Sequence, residues 1–306
     1  MTDGVAIGAE AGDDARRAAL AAEADALRPE LHRYAARLVG SVIDGEDVVQ
    51  DAFARAFTRI GAISPGTPLR PWLFRIVHNR AIDALRQRRT RRSEPLETAY
   101  ALADAGTVDP EDAVMRQEAV RFAVARFAEL PVPQRSTVIL KDVLGESLAD
   151  IAALLELSVD AVKAHLARGR ARLRSMSETQ SEVPRPASAE ALNFAALFNA
   201  QDWAALRRLL AEDVRLRQAR RPEISGAAQV GRFFTYYAEY PRVGVEPARL
   251  EGREILLVSD EPAGIPAYFM LLEWRDGRII MIRDHRYATY VMDGAVVTHA
   301  ARPGEP

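Results

Sequence analysis

Residues 147–174, SLADIAALLELSVDAVKAHLARGRARLR, decide the fold of the middle of this chain. Apolar residues at helical spacing predict a helix over 147–155, and the stretch 156–158 is short enough for a turn. Ser158 is a suitable N-cap for a second helix, because its hydroxyl can accept from a free backbone N–H. The pattern therefore predicts a helix-turn-helix over 135–174. The apolar stripe of the second helix consists of Val159, Val162, Leu166 and Leu173.

The second of these helices carries side chains suited to DNA. Opposite its apolar stripe lie small alanines, which let a helix approach closely, and two arginines, Arg168 and Arg172. Arginine is the usual partner of guanine in the major groove, and flanking basic residues can reach phosphates. The alternative is a solvated surface helix. The candidate DNA-binding residues are Lys163, Ala164, Arg168, Arg170, Arg172 and Arg174.

Composition excludes several classes of protein. The 306 residues suggest two or three domains, and a net charge of −2 hides a local excess of arginine in the first third. The absence of cysteine excludes disulfides, thiolate zinc sites and cysteine nucleophiles. No apolar run approaches the roughly 20 residues that span a bilayer, and the N-terminus lacks a signal-peptide pattern. We therefore expect a cytoplasmic protein without membrane, metal or cofactor.

Residues 25–92 are typical of a run of helices. Asp44 is the expected N-cap of a helix over 44–60, with Asp47 three residues later as in a capping box. A solvated polar stripe is the general explanation for a group of polar residues on such a helix. The residues that share one face at helical spacing are Asp47, Gln50 and Asp51.

The stretch 68–92, PLRPWLFRIVHNRAIDALRQRRTRR, predicts two helices, the second capped by Asn79 and ending in arginines. Basic residues interleaved with Trp72, Phe74 and His78 suit single-stranded or melted nucleic acid, in which bases stack on rings and phosphates meet guanidinium groups. Core packing is the alternative for Trp72. For the arginines, the alternative is a favourable interaction of their positive charge with the helix dipole at the C-terminus.

The remaining sequence contains a terminal tail, two linkers and a C-terminal module of a different fold class. We expect a flexible tail over 1–24, an acidic linker over 93–112, helices over 113–175, and a Ser- and Pro-rich linker over 176–187. The last module, 188–295, is expected to be α+β, followed by a tail over 296–306. Its helices are expected at about 188–199, 202–211 and 226–238, and its strands at 254–258, 267–274, 278–284 and 288–292.

Three of these segments, 44–57, 70–89 and 130–174, together resemble an extracytoplasmic-function (ECF) sigma factor of bacterial RNA polymerase. The resemblance implies a helical region 2 domain over 25–92 and a helix-turn-helix region 4 domain over 113–175. It also implies a non-enzymatic subunit that binds core RNA polymerase and directs initiation at specific promoters.

The resemblance assigns a role to each group of residues. Asp47, Gln50 and Asp51 would face the clamp helices of the polymerase β′ subunit, and the β flap is a second expected contact. The helix at 159–173 would read the −35 element. The residues implied at the −10 element are Trp72, Asn79, Arg80, Arg86, Arg88 and Arg89.

Three C-terminal segments, 191–216, 225–237 and 271–291, resemble a SnoaL-like domain of the nuclear-transport-factor-2-like cone fold. The expected fold class is therefore multidomain, with two all-α sigma modules followed by an α+β cone-shaped domain. The resemblance implies a pocket for a small-molecule ligand and a modulating role for this domain. The candidate pocket residues are Trp203, Tyr236, Trp274 and His285.

Two other functions stay open at this point. One is a regulator that binds an operator alone, although such a protein does not need the module at 44–92. The other is a SnoaL-like enzyme on a DNA-binding anchor, with Asp284 and His285 as acid and base. Adjacent residues on one strand point to opposite faces, which argues against that pair.

Overall fold

The structure, a computed structural model, describes residues 3–64, 66–92, 124–176, 185–239, 243–260 and 265–299. The chain forms two compact units, Met1–Thr179 and Gln180–Pro306. The predicted acidic linker over 93–112 lies outside the described residues, as does most of the predicted linker over 176–187. Within the described part of the chain, no helix combines the length and the apolarity that crossing a membrane requires.

The first unit begins with three long helices that pack on one another. They are α1 (Asp3–Val39), α2 (Val42–Arg59) and α3 (Leu69–Arg92), with a short 3-10 turn at Ile60–Ala62. The segment predicted as a flexible tail, 1–24, is helical from Asp3 onward. Leu20 and Ala24 are buried in the core, so apolar packing holds the end of this segment.

Two predicted helix caps in this unit are wrong. Helix α2 starts at Val42, and its N-cap is Ser41, whose Oγ accepts from the backbone N of Asp44 at 3.1 Å. Asn79 lies inside α3, which is one continuous helix of 24 residues instead of two. Tertiary packing along α3 outweighs the local preference of asparagine for a helix end.

The rest of the first unit contains the predicted helix-turn-helix. Its helices are α4 (Val124–Phe127), α5 (Val132–Val138), α6 (Leu148–Leu155) and α7 (Val159–Ser175), with a π-helical turn at Ile139–Val143. Ser158 caps α7 as predicted, since its Oγ accepts from the backbone N of Ala161 at 3.1 Å. Glu156 takes a left-handed conformation with φ 58°, which reverses the chain between α6 and α7.

The two helical parts of the first unit share one hydrophobic core, which includes Leu31 of α1 and Leu166 of α7. Buried Arg135 of α5 donates to the carbonyl oxygens of Leu38 at 2.6 Å and Leu130 at 2.7 Å. The guanidinium of Arg135 therefore fastens the end of α1 to the turn before α5. Burial lowers the pKa of Arg135 to about 10, which leaves it charged at neutral pH.

A second link between these parts is ionic. Arg70, at the start of α3, contacts Glu30 of α1 and Glu146, which precedes α6, both at 2.5 Å. Gly40 follows α1 with φ 77°, and a Cβ added there would lie 2.6 Å from the Cβ of Ala128. Glycine is therefore required at this position both for the backbone conformation and for the close approach.

The second unit is α+β, as the SnoaL-like resemblance implies. Its helices are α8 (Ala189–Asn199), α9 (Trp203–Arg208), α10 (Ala227–Val230) and α11 (Phe233–Ala238). Its strands are β1 (Leu210–Gln218), β2 (Ile224–Ser225), β3 (Val243–Leu250), β4 (Arg253–Asp260), β5 (Ile265–Arg275), β6 (Arg278–Asp284) and β7 (Val297–His299). The helix pair comes first and the β5–β6 hairpin comes late, in the predicted order.

The seven strands form one sheet in the order β2-β1-β6-β5-β4-β3-β7. β1 and β6 pair in parallel, whereas the other neighbours are antiparallel. Aromatic rings of the helices build the core on one face, with Phe198 5.0 Å from Tyr237 and 5.2 Å from Trp203 between ring centroids. This packing fixes α11 against α8 and α9.

Several secondary-structure predictions for this unit need correction. The helix expected over 226–238 is two short helices, Ala227–Val230 and Phe233–Ala238. The helix expected over 202–211 ends at Arg208, because β1 begins at Leu210 and pairs with β6. The strand expected over 288–292 is a 3-10 helix at Thr289–Met292. β3 was not predicted at all, although it pairs with both β4 and β7.

Candidate nucleic-acid interface

Helix α7 presents a basic, small-residue face to solvent. Arg172 and Arg174 are exposed, and so are Ala167 and Ala171 on the same side. Arg168 is half-buried, and its Nη2 lies 3.3 Å from Nδ1 of His165. Lys163 stays near the start of the helix in an ion pair with Asp160. Most of the predicted reading face is therefore accessible in this structure.

Two of the predicted DNA contacts on α7 are not available. Arg170 is buried and donates from Nε and Nη2 to the two carboxylate oxygens of Asp142, at 2.9 and 2.6 Å. Arg170 follows Val162 and Leu166 at intervals of four residues, so it lies on the buried side of α7. Ala164 is only 2% exposed. Arg170 thus holds α7 to the π-helical turn and does not face DNA.

The polar face of α2 gathers the three residues predicted to bind polymerase. Asp51 is exposed, while Asp47 and Gln50 are half-buried. Nε2 of Gln50 donates to Oε1 of Glu46 at 3.2 Å. Glu46 is itself buried and paired with Arg28 at 2.5 Å, so a buried ion pair supports this face from beneath.

The aromatic residues of α3 do not form a stacking surface. Phe74 and His78 are buried, and Trp72 is half-buried against the same core. The Tyr34 hydroxyl lies 2.7 Å from Nδ1 of His78, and burial lowers the pKa of His78 to about 4. The prediction that Phe74 and His78 interleave with bases is therefore wrong, because these rings build the α1–α3 interface.

The polar residues of α3 differ in exposure and in their ion pairs. Asn79 and Arg86 are exposed, and Arg89 is half-buried. Arg80 pairs with Asp51 at 2.7 Å and with Asp83 at 3.3 Å. Arg88 forms an ion pair with Asp44, and it also donates to the carbonyl oxygen of Val39 at 3.2 Å. Arg88 thus joins α3 to the α1–α2 turn instead of projecting freely.

The pair between Arg80 and Asp51 was not visible in the sequence. The two residues are 29 positions apart and were assigned to different surfaces, one for DNA and one for polymerase. The structure places these surfaces side by side. Only the packing angle of α2 against α3 determines this contact, and no local pattern encodes that angle.

The second unit contains a cavity of about 390 Å³, which differs from the predicted pocket. Of the four predicted residues, only Tyr236 lines it. Trp203 and Trp274 pack on the hydrophobic core, and His285 lies against the Phe269 ring at 4.3 Å. The lining residues are Leu216, Gln218, Arg221, Pro222, Ile224, Gln229, Arg232, Phe233, Tyr236, Arg286 and Tyr287.

Asp284 and His285 do not converge as an acid–base pair. Oδ2 of Asp284 accepts from Nε2 of Gln218 at 2.6 Å, whereas His285 packs against Phe269. Burial raises the pKa of Asp284 to about 6, although the hydrogen bonds from Gln218 and from the backbone N of Arg286 oppose the shift. Neither residue is among those that line the cavity in the described chain.

Comparison with known proteins places the first unit in a family. Residues 24–91 match Sigma-70 region 2, and residues 124–173 match Sigma-70, region 4. The ECF RNA polymerase sigma factor SigM of Mycobacterium tuberculosis is 38% identical over 144 residues, which cover 47% of this chain and 69% of SigM. The chain belongs to the ECF RNA polymerase sigma factors.

Other relatives of this ECF sigma factor match over similar lengths. SigW of Bacillus subtilis is 31% identical over 157 residues, covering 49% of this chain and 84% of SigW. The crystal structure of the Mycobacterium tuberculosis ECF sigma factor SigJ is 23% identical and covers 89% of this chain and 98% of its own, with a TM-score of 0.35. As a sigma factor, the protein binds core RNA polymerase and promoter DNA and has a non-enzymatic role in initiation.

Proposed function

We propose that this sigma factor uses different surfaces of its first unit for polymerase and for DNA during initiation. The polar face of α2 around Asp51 binds the β′ clamp helices, and the β flap binds the helix-turn-helix module. The exposed side of α3 holds the melted −10 strand, and the exposed side of α7 reads the −35 element. The side chains proposed to touch DNA are Asn79, Arg80, Arg86, Arg89, Lys163, Arg168, Arg172 and Arg174.

The observation that carries this proposal is the exposed face of α7. Arg172 and Arg174 stand on the solvent side of a helix whose start is fixed by the Ser158 cap. The small side chains of Ala167 and Ala171 lie between them and leave room for the edges of bases. A helix of this kind fits the major groove, where arginine can form two hydrogen bonds to guanine.

The direct test is reconstitution with core RNA polymerase. We expect the full chain to co-migrate with the core enzyme and to initiate at a defined promoter. Arg172→Ala is expected to spare the complex and weaken −35 recognition, since one good bidentate contact contributes about 1–3 kcal/mol of discrimination. A chain that does not bind core enzyme contradicts the whole proposal. An Arg172→Ala effect on core binding contradicts the division between surfaces.

The α2 surface has its own test, because Asp51 pairs with Arg80. Asp51→Arg is expected to weaken binding to core polymerase, but it also breaks that pair. The double variant Asp51→Arg, Arg80→Asp restores the ion pair with reversed charges. If polymerase recognises the Asp51 carboxylate, the double variant stays defective in binding. Recovery of binding would show that the single variant acted only through the local pair.

We further propose that the second unit modulates the sigma factor and is not a catalyst. The proposal is supported by the position of Asp284 and His285, which interact with different partners away from the cavity lining. Removing residues from 187 onward is expected to change promoter activity while the first unit stays folded, since each unit has its own core. Unchanged activity at native protein levels contradicts the modulating role.

A further inference from the structure

The cavity of the second unit has an aromatic and apolar wall. Its volume of about 390 Å³ is in the range of cavities that hold small organic molecules. Tyr236 and Tyr287 line it and are 60% and 36% exposed, so their rings are accessible to a bound molecule. Leu216, Ile224 and Phe233 line it as well. Since aromatic side chains stack on flat rings, this wall favours a flat apolar molecule.

The arginines of the cavity discriminate weakly between ligands. The guanidinium of Arg286 interacts with the buried Asp284 carboxylate, so each charge partly balances the other. Arg221 and Arg232 are exposed, and water and salt therefore screen their charges. The guanidinium of Arg221 also lies over the Tyr287 ring, 5.2 Å from its centroid. Selection between ligands is therefore expected to depend on the uncharged polar groups of the lining.

Gln218 connects the cavity lining to a buried carboxylate. Gln218 is half-buried at the end of β1, and its Nε2 donates to Oδ2 of Asp284 at 2.6 Å. Asp284 is 1% exposed, and its Oδ1 accepts from the backbone N of Arg286 at 3.2 Å. Because the amide nitrogen is directed at Asp284, the amide oxygen is the group that Gln218 can offer to a ligand.

The charge state of Asp284 controls this amide. Hydrogen bonds in a chain polarise one another, so an ionised Asp284 makes the Gln218 oxygen a stronger acceptor. A protonated Asp284 can instead donate to that oxygen, which turns the amide nitrogen toward the cavity. The same position in the cavity thus accepts a hydrogen bond in one state and donates one in the other.

The surroundings of Asp284 bring this change close to neutral pH. Burial raises the pKa of Asp284 to about 6, although the bonds from Gln218, the backbone N of Arg286 and the Tyr237 hydroxyl, together with the Arg286 charge, oppose the shift. The Tyr237 hydroxyl lies 2.9 Å from that of Tyr268 on β5. Burial raises the pKa of Tyr237 well above 10, so this phenol stays uncharged while Asp284 titrates.

We propose that this cavity binds an uncharged, flat molecule of two or three fused rings whose hydroxyl or N–H donates to the Gln218 amide oxygen. The rings of the ligand lie against Tyr236 and Tyr287. Binding is tight while Asp284 is ionised and weakens when Asp284 is protonated, because a donor then replaces the acceptor. A molecule with the same rings but without the donor binds weakly in the ionised state.

The test compares two uncharged fluorescent probes, naphthol and its methyl ether. Both have the same fused rings, but only naphthol carries a hydrogen-bond donor. Each is titrated into the full-length protein without polymerase, so a failure here is distinguishable from a failure of the proposed role in initiation. Above the Asp284 pKa of about 6, we expect naphthol to bind about fivefold more tightly than the ether. Below that pH, the preference is expected to disappear.

Three variants locate the hydrogen bond. Gln218→Met removes the amide and keeps a similar side-chain length, so the two probes are expected to bind it equally. Gln229→Met is the matched control, because Gln229 lines the same cavity from α10. This control is expected to change both affinities alike, so that the preference for naphthol remains. Asp284→Asn keeps the shape of the buried group, and its binding of naphthol is expected to be independent of pH.

Several outcomes overturn the proposal. Equal binding of the two probes to the wild type above pH 6, or no binding of either probe, contradicts the ligand class. A preference for naphthol that survives in Gln218→Met places the bond elsewhere. A pH dependence that persists in Asp284→Asn excludes the buried carboxylate as its source, and this comparison holds even if Gln218→Met does not fold.

Discussion

Arg170 and Arg172 differ by two positions on α7 and have opposite roles. Arg170 is buried and makes two hydrogen bonds to the Asp142 carboxylate, whereas Arg172 is exposed. The sequence predicted DNA contacts for both, Arg172 on the reading face and Arg170 as a flanking residue that reaches phosphates, since a run of arginines does not show which member is paired. The distinction depends on Asp142, which is 28 residues away and is turned inward by the π-helical turn.

This pair gives the first prediction at the scale of single residues. Arg170→Met is expected to lower the free energy of unfolding by about 3–5 kcal/mol, because it leaves the Asp142 carboxylate buried without a partner. Arg172→Met, the matched control, is expected to change it by less than about 0.5 kcal/mol. Urea unfolding followed by helical circular dichroism measures both. Similar losses in the two variants would contradict the assignment.

The second prediction concerns His78, whose neutral ring is buried beside the Tyr34 hydroxyl. Burial lowers its pKa from 6.5 to about 4, so the folded state disfavours the charged ring. The stability that it contributes is therefore full above pH 6.5 and is lost as the pH falls through about 4. The total loss is about 3 kcal/mol.

The measurement compares the wild-type chain with His78→Gln, which keeps an acceptor for Tyr34 but does not titrate. The difference in unfolding free energy between the two proteins is expected to shrink between pH 6.5 and pH 4. Other groups titrate in both proteins and cancel in this difference. A difference that is constant with pH would show that His78 is charged in the folded state or accessible to water.

At the scale of elements, α3 carries exposed residues whose proposed role in DNA binding can be tested separately from the stability of the fold. Asn79 was predicted to begin a helix, but it is an exposed residue inside one. Asn79→Ala is therefore expected to leave stability unchanged or raise it by up to about 0.5 kcal/mol. Ser158→Ala removes a true N-cap and is expected to cost about 1 kcal/mol. Thermal unfolding distinguishes the two.

The same variants can be compared in promoter melting. If Asn79 touches the −10 strand, Asn79→Ala lowers the yield of open complexes although the protein is as stable as the wild type. A loss of stability in Asn79→Ala would instead indicate that the residue has a structural role that the continuous helix does not explain.

Much of the helical architecture could be predicted from local patterns, whereas much of the sheet could not. The Ser158 cap and the apolar stripe of α7 are encoded within a few residues, so the helix-turn-helix is correct. β1 had a usable signal, because Val214 and Leu216 are buried and alternate with Arg215. β3 contains Pro247, which argues against a strand with neighbours on both sides, although β4 and β7 flank it.

For the candidate sites too, local patterns predict positions on one helix but not contacts between elements. Asp47, Gln50 and Asp51 share one face of α2, as helical spacing predicts, and their role in polymerase binding stays a proposal. The cavity of the second unit gathers Arg221, Arg232 and Arg286 from three elements, and their meeting depends on the sheet order, which no local pattern specifies. The family resemblance supplied the idea of a pocket, but of the four residues chosen for it only Tyr236 lines the cavity, while Trp203 and Trp274 pack on the core.

At the scale of the whole molecule, the shared core of the first unit has a geometric consequence. On the proposed roles, α3 and α7 contact two promoter elements that lie apart along the DNA axis. The links through Arg135 and Arg70 hold the two helical parts together in the free protein. We therefore expect these links to open when α3 and α7 engage both elements.

We therefore predict that the two helical parts of the first unit move apart when the sigma factor assembles with core polymerase and promoter DNA. The chain contains no cysteine, so dyes can be attached at Arg59→Cys and Glu156→Cys, two exposed positions in different helical parts. Energy transfer is expected to be efficient in the free protein and to fall when core polymerase and promoter are added. Glu146→Gln, which weakens the Arg70 link, is expected to make that fall occur at lower polymerase concentration. Unchanged transfer on the promoter contradicts the opening.

On the proposed roles, the pairing of Asp51 with Arg80 couples polymerase binding to DNA binding. A polymerase group that captures the Asp51 carboxylate would compete with the guanidinium of Arg80 and release a cation at the edge of the proposed DNA-binding helix. By thermodynamic reciprocity, DNA that captures Arg80 would also free Asp51 for the enzyme. One surface contact, weak by itself, would thus couple recruitment of the sigma factor to its hold on the promoter.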